Sequence, residues 1–501
     1  IKSANKPTIL VIGIYRILTM SNLNILFIMA DQLHPDFLSC YGADFIKTPN
    51  IDSIANQGVL YENAYSTSPV CVAARHNLLT GLNSIRTGVL GNGQFLRPDY
   101  SDCGIHTWPG IMRSAGYRSA AIGKMHFYPW DVSMGFDDRV ICEDKRWLHI
   151  KDDYSDYLAQ RGLRKLHGNE HPGYYENKGA IVHQHSFSDS WDYFVGSEAA
   201  NYIRSYEDSR PFAMMVGLPG PHCPYDPSPE YAGRFSPGDM PKAIPEVPGD
   251  HPILTSQNVE GNKQPWNGVD YTEFTEQQKA KVRAHYAGLV KQIDDIVGDI
   301  LNVLTDQGQL DKTVIIFSSD HGDYLGDHNL IGKGHFFESS CHVPLIVRLP
   351  DGEKKSTNTD LVALADITPT MLNLAGVSPP DYMDFQPLPG LGIETGKRDY
   401  LYGMMGGGWM CFDGRWKLCK YRTGEHLLFD LYADPMEQNN LLKTNNSDGI
   451  YQRLDSVLTT EIMRSVEASH RDNVVYDSDL SGDIAFGEKG WERLYPASLL
   501  N

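Results

Sequence analysis

VIIFSSDHG, from Val314 to Gly322, and ILFIMADQ, from Ile25 to Gln32, are built alike: an apolar run that stops at a carboxylate and a second polar side chain. A run that is apolar at successive positions fits a strand covered on both faces, as in a parallel sheet lying between helical layers. Two more runs end the same way, Ala120–Ile122 before Lys124 and His126, and Phe212–Val216 before His222. Helical periodicity lies between them. It is clearest from Glu276 to Thr305, where Val282, Tyr286, Leu289, Ile293, Ile296, Ile300 and Leu304 recur three or four residues apart and Gly308 offers a stop. Strands alternating with helices predict an α/β fold with a large mixed, mostly parallel sheet sandwiched by helices. Ligands in such sheets bind beyond the carboxyl ends of the strands, where all four polar clusters fall.

The remaining organisation follows from texture. His149–His185 and the Pro- and Gly-rich stretch Pro224–Val269 read as long excursions that wall a pocket. From about Arg398 short segments at Trp409–Phe412, Trp416–Tyr421 and His426–Tyr432, with an Asp413-Gly414 turn, predict a small antiparallel sheet. A helix near Gly449–His470 covers it. The expected division is an extension over 1–21, the α/β domain over 22–395, and a smaller C-terminal domain and tail over 396–501. Thr8–Leu18 is apolar but short and broken by Arg16, so no membrane span is expected there. With Met20 as the native start the protein is cytoplasmic; with the segment as a signal remnant it is periplasmic or secreted.

Composition narrows the partners. The 501 residues carry 44 Lys and Arg against 63 Asp and Glu, a net charge of −19, which excludes a nucleic-acid footprint. The same surplus repels anions at long range, so any anion site needs local positive charge. Eight cysteines, at 40, 71, 103, 142, 223, 341, 411 and 419, show neither metal-pair spacing nor the density of a disulfide scaffold. Cys71 alone has suggestive company. Cys71-Val72-Ala73-Ala74-Arg75 precedes a helix read over Arg75–Thr80 and stopped by Gly81, so the thiol stands at a helix start, where negative charge is favoured. Arg75 falls four residues on, on the same face. Read alone, the pentapeptide favours a structural cysteine beside a surface arginine. Asp31-Gln32 and Asp320-His321 supply two carboxylates, an amide oxygen and an imidazole, a reasonable set for one divalent cation.

Taken together these stretches resemble the type I, formylglycine-dependent sulfatases of the alkaline phosphatase superfamily. The resemblance rests on Asn24–Asp31 with Tyr41-Gly42 and Lys47–Asn50, on Cys71–Arg75 with Leu79–Gly81, and on Gly123–His126, Pro221–Pro224 and Ser319–Gly322. Gly332-Lys333 with Phe337-Glu338, and Leu431–Pro435 with Glu437, complete it in the family's order. The resemblance implies that Cys71 is oxidised to formylglycine by a formylglycine-generating or equivalent maturation enzyme, and that its hydrate is the nucleophile. Asp31, Gln32, Asp320 and His321 would hold one divalent metal. Arg75 and Lys124 would steady the diol and the sulfuryl oxygens, His126 would take the proton that collapses the covalent intermediate, and His222 and Lys333 would assist the departing alcohol.

Ala73 and Ala74 stand where the family usually has Pro and Ser, which bears on maturation. Gln32 and His321 replace a more usual Asp and Asn, a combination similar to the choline-sulfatase and phosphonate monoester hydrolase branch. Calcium is the family default for the metal, and manganese or magnesium are alternatives. The expected substrate is a carbohydrate, aryl or small-alcohol sulfate ester; the alternative is a phosphonate monoester or phosphodiester. A non-catalytic binding protein is disfavoured, because a binder need not keep nucleophile, acid and ligands together. Asn92 and His335 are further substrate candidates, whereas His34, His76, His149, His183 and His185 each read more simply as surface or hydrogen-bonded core residues. A homo-oligomer is left open.

Overall fold

The computed structural model describes residues 23–249, 251–350, 352, 355–444 and 449–469. Thr8–Leu18 and Met20, on which the reading of the N-terminus rested, lie outside the described residues. The core is an eight-stranded sheet in the order β5-β4-β6-β1-β7-β8-β2-β9. Its centre is β4 (Arg118–Gly123), β6 (Phe212–Pro221), β1 (Asn24–Asp31) and β7 (Thr313–Ser319). These contain the four apolar runs of the sequence, they are neighbours, and every pairing among them is parallel. On the outer sides lie β5 (Asp138–Ile141), β8 (Leu345–Arg348), β2 (Val59–Tyr61) and β9 (Ser356–Asn358), with antiparallel pairs at β7/β8 and β2/β8. β3 (Ala64–Tyr65) and β10 (Val362–Ala363) form a separate parallel pair.

Burial explains why the runs carry no polar alternation. Along β1, Leu26, Ile28 and Ala30 enter one hydrophobic cluster, whereas Ile25, Phe27 and Met29 enter another on the opposite face. β7 divides likewise, with Ile315 and Phe317 on the first side and Val314 and Ile316 on the second. Side chains alternate across a strand, so both faces being apolar means both are covered. The first face packs on the helix Glu276–Asp306, contributing Tyr286, Ile293 and Ile300, and on the helix Trp191–Arg204. Thr275 starts the long helix by a reciprocal bond with Gln278, a capping box.

The C-terminal sheet contains β11 (Leu401–Met405), β12 (Gly408–Phe412), β13 (Trp416–Tyr421) and β14 (His426–Asp430), all antiparallel. The last three match the expected segments; β11, which reads LYGMM, was not among them. One face of this sheet joins Phe336 and Phe337 in a shared cluster, and the other lies under Leu454 and Leu458 of the helix Ile450–Ser469. Among the described residues no helix is long and apolar enough to cross a membrane.

Candidate active site

Strand register brings the polar ends together. Asp31 closes β1, Asp320 and His321 follow β7, Lys124 follows β4 and His222 follows β6. Lys124 crosses directly over β6, its N–H donating to Gly217 O at 2.8 Å. A Cβ on Gly217 would lie 2.1 Å from Lys124 O, so only glycine allows the crossing. Cys71 opens the helix Cys71–Thr80, four residues earlier than the helix expected at Arg75. Asn92 Oδ1 accepts from Val72 N–H at 3.1 Å and so steadies that first turn. Ahead of it, Ser68 Oγ donates to Met404 O at 2.6 Å and Met404 N–H to Thr67 O at 2.8 Å, which ties the approach loop to β11.

Asp31, Cys71, Asp320 and His321 turn ligand-type atoms toward one point, all within 4.8 Å of one another and all buried. Cys71 Sγ is 3.1 Å from His321 Nε2 and 3.8 Å from Asp31 Oδ1. His321 Nδ1 lies 2.9 Å from Gly322 O, and because a carbonyl only accepts, the proton sits on Nδ1 and Nε2 presents its lone pair to the cluster. Gln32 is oriented in the same way. Its Nε2 donates to Asp323, which leaves Oε1 facing inward, where Lys333 Nζ meets it at 2.9 Å. Oxygen and imidazole donors held this closely fit a divalent metal, with Sγ of Cys71 beside them.

Cations hold the carboxylates in place. Arg75 donates through Nε to Asp320 and through Nη2 to Asp31, both at 2.9 Å, while Nη1 bonds Lys124 O. Two of its three nitrogens are therefore engaged by the ligand carboxylates and the third by the Lys124 carbonyl, where the resemblance had implied that Arg75 steadies the diol and the sulfuryl oxygens. Lys124 Nζ bridges Asp31 at 2.7 Å and Asp144 at 2.8 Å, and Asp144 is also gripped by Arg146 at 2.8 and 2.9 Å. Burial would push the Asp31 carboxyl up, but Lys124, His222, Arg75 and Lys333 hold it well below the usual range. Burial and Asp31 push the Cys71 thiol up, yet Lys333, Lys124 and His321 outweigh them and lower it.

The histidines differ from one another. His126 is buried, has no hydrogen-bond partner on either ring nitrogen among the described residues, and is kept neutral by burial and by Lys124. Its backbone N–H donates to Glu143 at 3.2 Å. His222 holds its Nδ1 proton on Cys223 O at 2.7 Å and turns Nε2 to Lys333 Nζ, which donates to it. Burial, Lys333 and Arg146 keep this ring neutral as well. His126, Lys333, Asn92 and His335 all line a cavity of about 450 Å³.

A sequence profile of the Sulfatase family matches residues 23–377, which include every residue of this cluster. The chain belongs to the Sulfatase family. This sulfatase is 30% identical over 468 residues to an arylsulfatase of Clostridium perfringens, covering 86% of this chain and 92% of that one. It is 29% identical to a choline-sulfatase of Rhizobium meliloti, covering 92% and 89%. The crystal structure of a phosphonate monoester hydrolase of Agrobacterium radiobacter superposes with a TM-score of 0.74 at 25% identity, covering 89% of this chain and 96% of that chain. The enzyme is thus a sulfuric ester hydrolase with an alkaline phosphatase-like fold.

Other candidates of the sulfatase sequence take structural places. His34 Nδ1 accepts from Asp36 N–H, His76 bonds Val72 O, and His183 and His185 pack against each other 4.9 Å apart. His149 stacks near Trp130 and Trp147. Gln32, His126 and His335 adopt left-handed backbone, with φ of +68°, +61° and +60°. Such conformations cost about 1–3 kcal/mol each and gather at functional sites. Sequence reasoning missed Asp144, Arg146, Trp147 and Asp323. A signal existed for each: β5 is a short run, Val140-Ile141, ending in Glu143-Asp144-Lys145-Arg146, and Asp323 follows His321 by two residues.

Proposed function

We propose that this sulfatase hydrolyses its ester with residue 71 as nucleophile, after oxidation of Cys71 to formylglycine, beside one divalent metal held by Asp31, Gln32, Asp320 and His321. The observation that carries the reading is the position of Sγ, 3.1 Å from the His321 nitrogen that faces the cluster and inside the only cluster of metal-ligating groups among the described residues. A metal held by these residues would supply Lewis-acid charge to the sulfuryl group, and the hydrated aldehyde of residue 71 would supply the attacking oxygen. Arg75 fixes Asp31 and Asp320 so that one oxygen of each remains turned inward. Lys124 adds positive charge beside Asp31, where sulfuryl charge builds up in the transition state. Neutral His126, with two unpartnered ring nitrogens facing the cavity, accepts the proton from residue 71. Lys333, hydrogen-bonded to the lone pair of His222, delivers a proton to the departing alcohol.

A second reading, hydrolysis of phosphonate monoesters or phosphodiesters, is supported by the Gln32 and His321 ligand pair and by the structural neighbour reported above. Paired kinetics separate the two. The sulfatase reading expects higher kcat/KM on 4-nitrophenyl sulfate than on 4-nitrophenyl phenylphosphonate, and the reverse order overturns it. Mass spectrometry of the peptide containing Cys71 tests the nucleophile directly, since an unmodified thiol in fully active enzyme removes the formylglycine step.

A further inference from the structure

Among the described residues, the wall of the 450 Å³ cavity that Lys333 helps to line contains no Asp or Glu; its charged side chains are Arg146 and Lys333. Its aromatic side chains are Trp147 and Trp266, and the Arg146 guanidinium already lies over the Trp266 ring, 4.6 Å from its centroid. Polar groups remain available. Among the described residues, Arg146 binds Asp144 through Nε and Nη2 only, Asn92 bonds Val72 through its oxygen only, and the Gln257 amide has no side-chain bond. A volume of this size falls within the range of roughly 300–1,000 Å³ for ligand pockets.

The aromatic surface does not end at the cavity. Trp147 stands 4.5 Å from His126, Trp130 is 5.7 Å from Trp147, Tyr128 is 5.8 Å from Trp130, and Phe95 is 5.1 Å from Tyr128. The series leads from the catalytic imidazole to open solvent, where Tyr128 is 56% exposed. Ring faces with amide and guanidinium donors beside them match a sugar, whose C–H face stacks while its hydroxyls hydrogen-bond. A quaternary ammonium alcohol wants the opposite, a carboxylate to offset its buried charge, and among the described residues the wall supplies none.

Resting on the sulfatase reading, we propose that the leaving alcohol is a carbohydrate. The sulfated ring occupies the cavity, its neighbour lies along Trp130 and Tyr128, and cationic alcohols such as choline are rejected by Lys333, whose hydrogen-bond partners are both neutral. The assignment separates this chain from the choline-sulfatase it resembles over most of its length.

The test uses the whole enzyme with 4-nitrophenyl sulfate, choline sulfate and a panel of monosulfated disaccharides. The best disaccharide should exceed choline sulfate in kcat/KM by at least tenfold. Tyr128→Ala, an exposed side chain outside the catalytic groups, should raise KM for that disaccharide roughly three- to tenfold, the scale of one aromatic contact. Its kcat, and both constants for 4-nitrophenyl sulfate, should not change. Calorimetric binding of the same disaccharides to Cys71→Ala enzyme, with and without Tyr128→Ala, reads the subsite independently of turnover. Wild-type enzyme inert toward every sulfate ester while Cys71→Ala binds the disaccharide would therefore sink the sulfatase chemistry and leave the subsite standing. Choline sulfate equal to or better than every disaccharide, or Tyr128→Ala without effect on disaccharide KM and binding, overturns the proposal.

Discussion

Replacing Asp323 by Asn should cost metal affinity more than stability. Asp323 is fully buried and accepts four hydrogen bonds: Leu325 N–H at 3.0 Å and Gly332 N–H at 2.9 Å on Oδ1, and the Tyr225 hydroxyl at 2.8 Å and Gln32 Nε2 on Oδ2. The two backbone donors cannot turn, so the Asn oxygen must stay on their side and its NH₂ must face Tyr225 and Gln32. A tyrosine hydroxyl can rotate to accept. The Gln32 amide can accept only by inverting, which withdraws Oε1 from the ligand cluster and points Nε2 at the Lys333 ammonium. Groups that orient a ligand in this way are typically worth 10- to 100-fold in affinity or activity, or about 1.4–2.8 kcal/mol. Stability should fall by only about 1 kcal/mol, at the low end for one unmatched buried donor. Burial raises the Asp323 carboxyl, so removing its charge offsets part of that loss. Calorimetric titration of chelator-treated enzyme with Mn²⁺ and with Ca²⁺, beside urea unfolding, measures both quantities. Affinity within twofold of wild type would refute the role assigned to Gln32.

Asp320→Ala removes one ligand and leaves Arg75 Nε without its carboxylate, so bound metal and activity should be lost together; stoichiometric metal in that variant would mean the ligand set is wrong. Lys333→Ala should slow alkyl or sugar sulfates more than 4-nitrophenyl sulfate, by on the order of ten- to a thousandfold, because only the poor leaving group needs its proton. Equal losses on both substrates would leave Lys333 an anchoring role only. Burial raises the Asp192 carboxyl to about 6 while Gly220 N–H bonds its Oδ1. Its protonated form therefore favours the fold, and that contribution is complete below about pH 4 and lost as pH rises through about 6. Asp192→Asn should be more stable than wild type at pH 7, by on the order of 2 kcal/mol, and nearly equal to it at pH 4. An identical difference at both pH values in urea unfolding would contradict this.

The central sheet was legible because four of its strands are buried on both faces, and strands of that kind advertise themselves as apolar runs. Legibility faded outward. β5 lies at the sheet edge with all four residues only partly buried, and its short run hid the Asp144 and Arg146 that follow it. β11 escaped because Gly403 interrupts it and Met404 and Met405 are not strand-type residues; it owes its place to pairing with β12 and to its bonds with Thr67 and Ser68. Among site residues, type and strand position pointed to Asp31, Lys124, His222, Asp320 and His321, while the direction of Arg75 was not readable. An i, i+4 relation puts Cys71 and Arg75 on one helical face, but it says nothing of the two carboxylates that β1 and β7 bring to that face. Long-range pairing decides between them, and the stronger partners win.

That same competition resolves the conflict between a net charge of −19 and an anionic substrate. Four cations converge near Cys71, yet three are neutralised where they stand: Arg75 by Asp31 and Asp320, Lys124 by Asp31 and Asp144, Arg146 by Asp144. Lys333 is different. Its partners among the described residues are the amide oxygen of Gln32 and the imidazole of His222, both neutral. Its field is therefore the one left unquenched at the cavity wall, worth about 4 kcal/mol to a charge 4 Å away at an effective dielectric of about 20. His222 must remain neutral for this to work, since a second proton on the ring would set two cations in contact. Cys223 O secures it by holding the Nδ1 proton, and burial beside Lys333 and Arg146 opposes another. Gly332 and Gly334, at φ +72° and +95°, bend the chain so that the lysine between them reaches Gln32, 301 residues away in sequence. In the proposed reaction a proton shared between these two nitrogens at the cavity wall, with positive charge behind it, would serve a poor leaving group and would tie anion binding and alcohol departure to the same side chain.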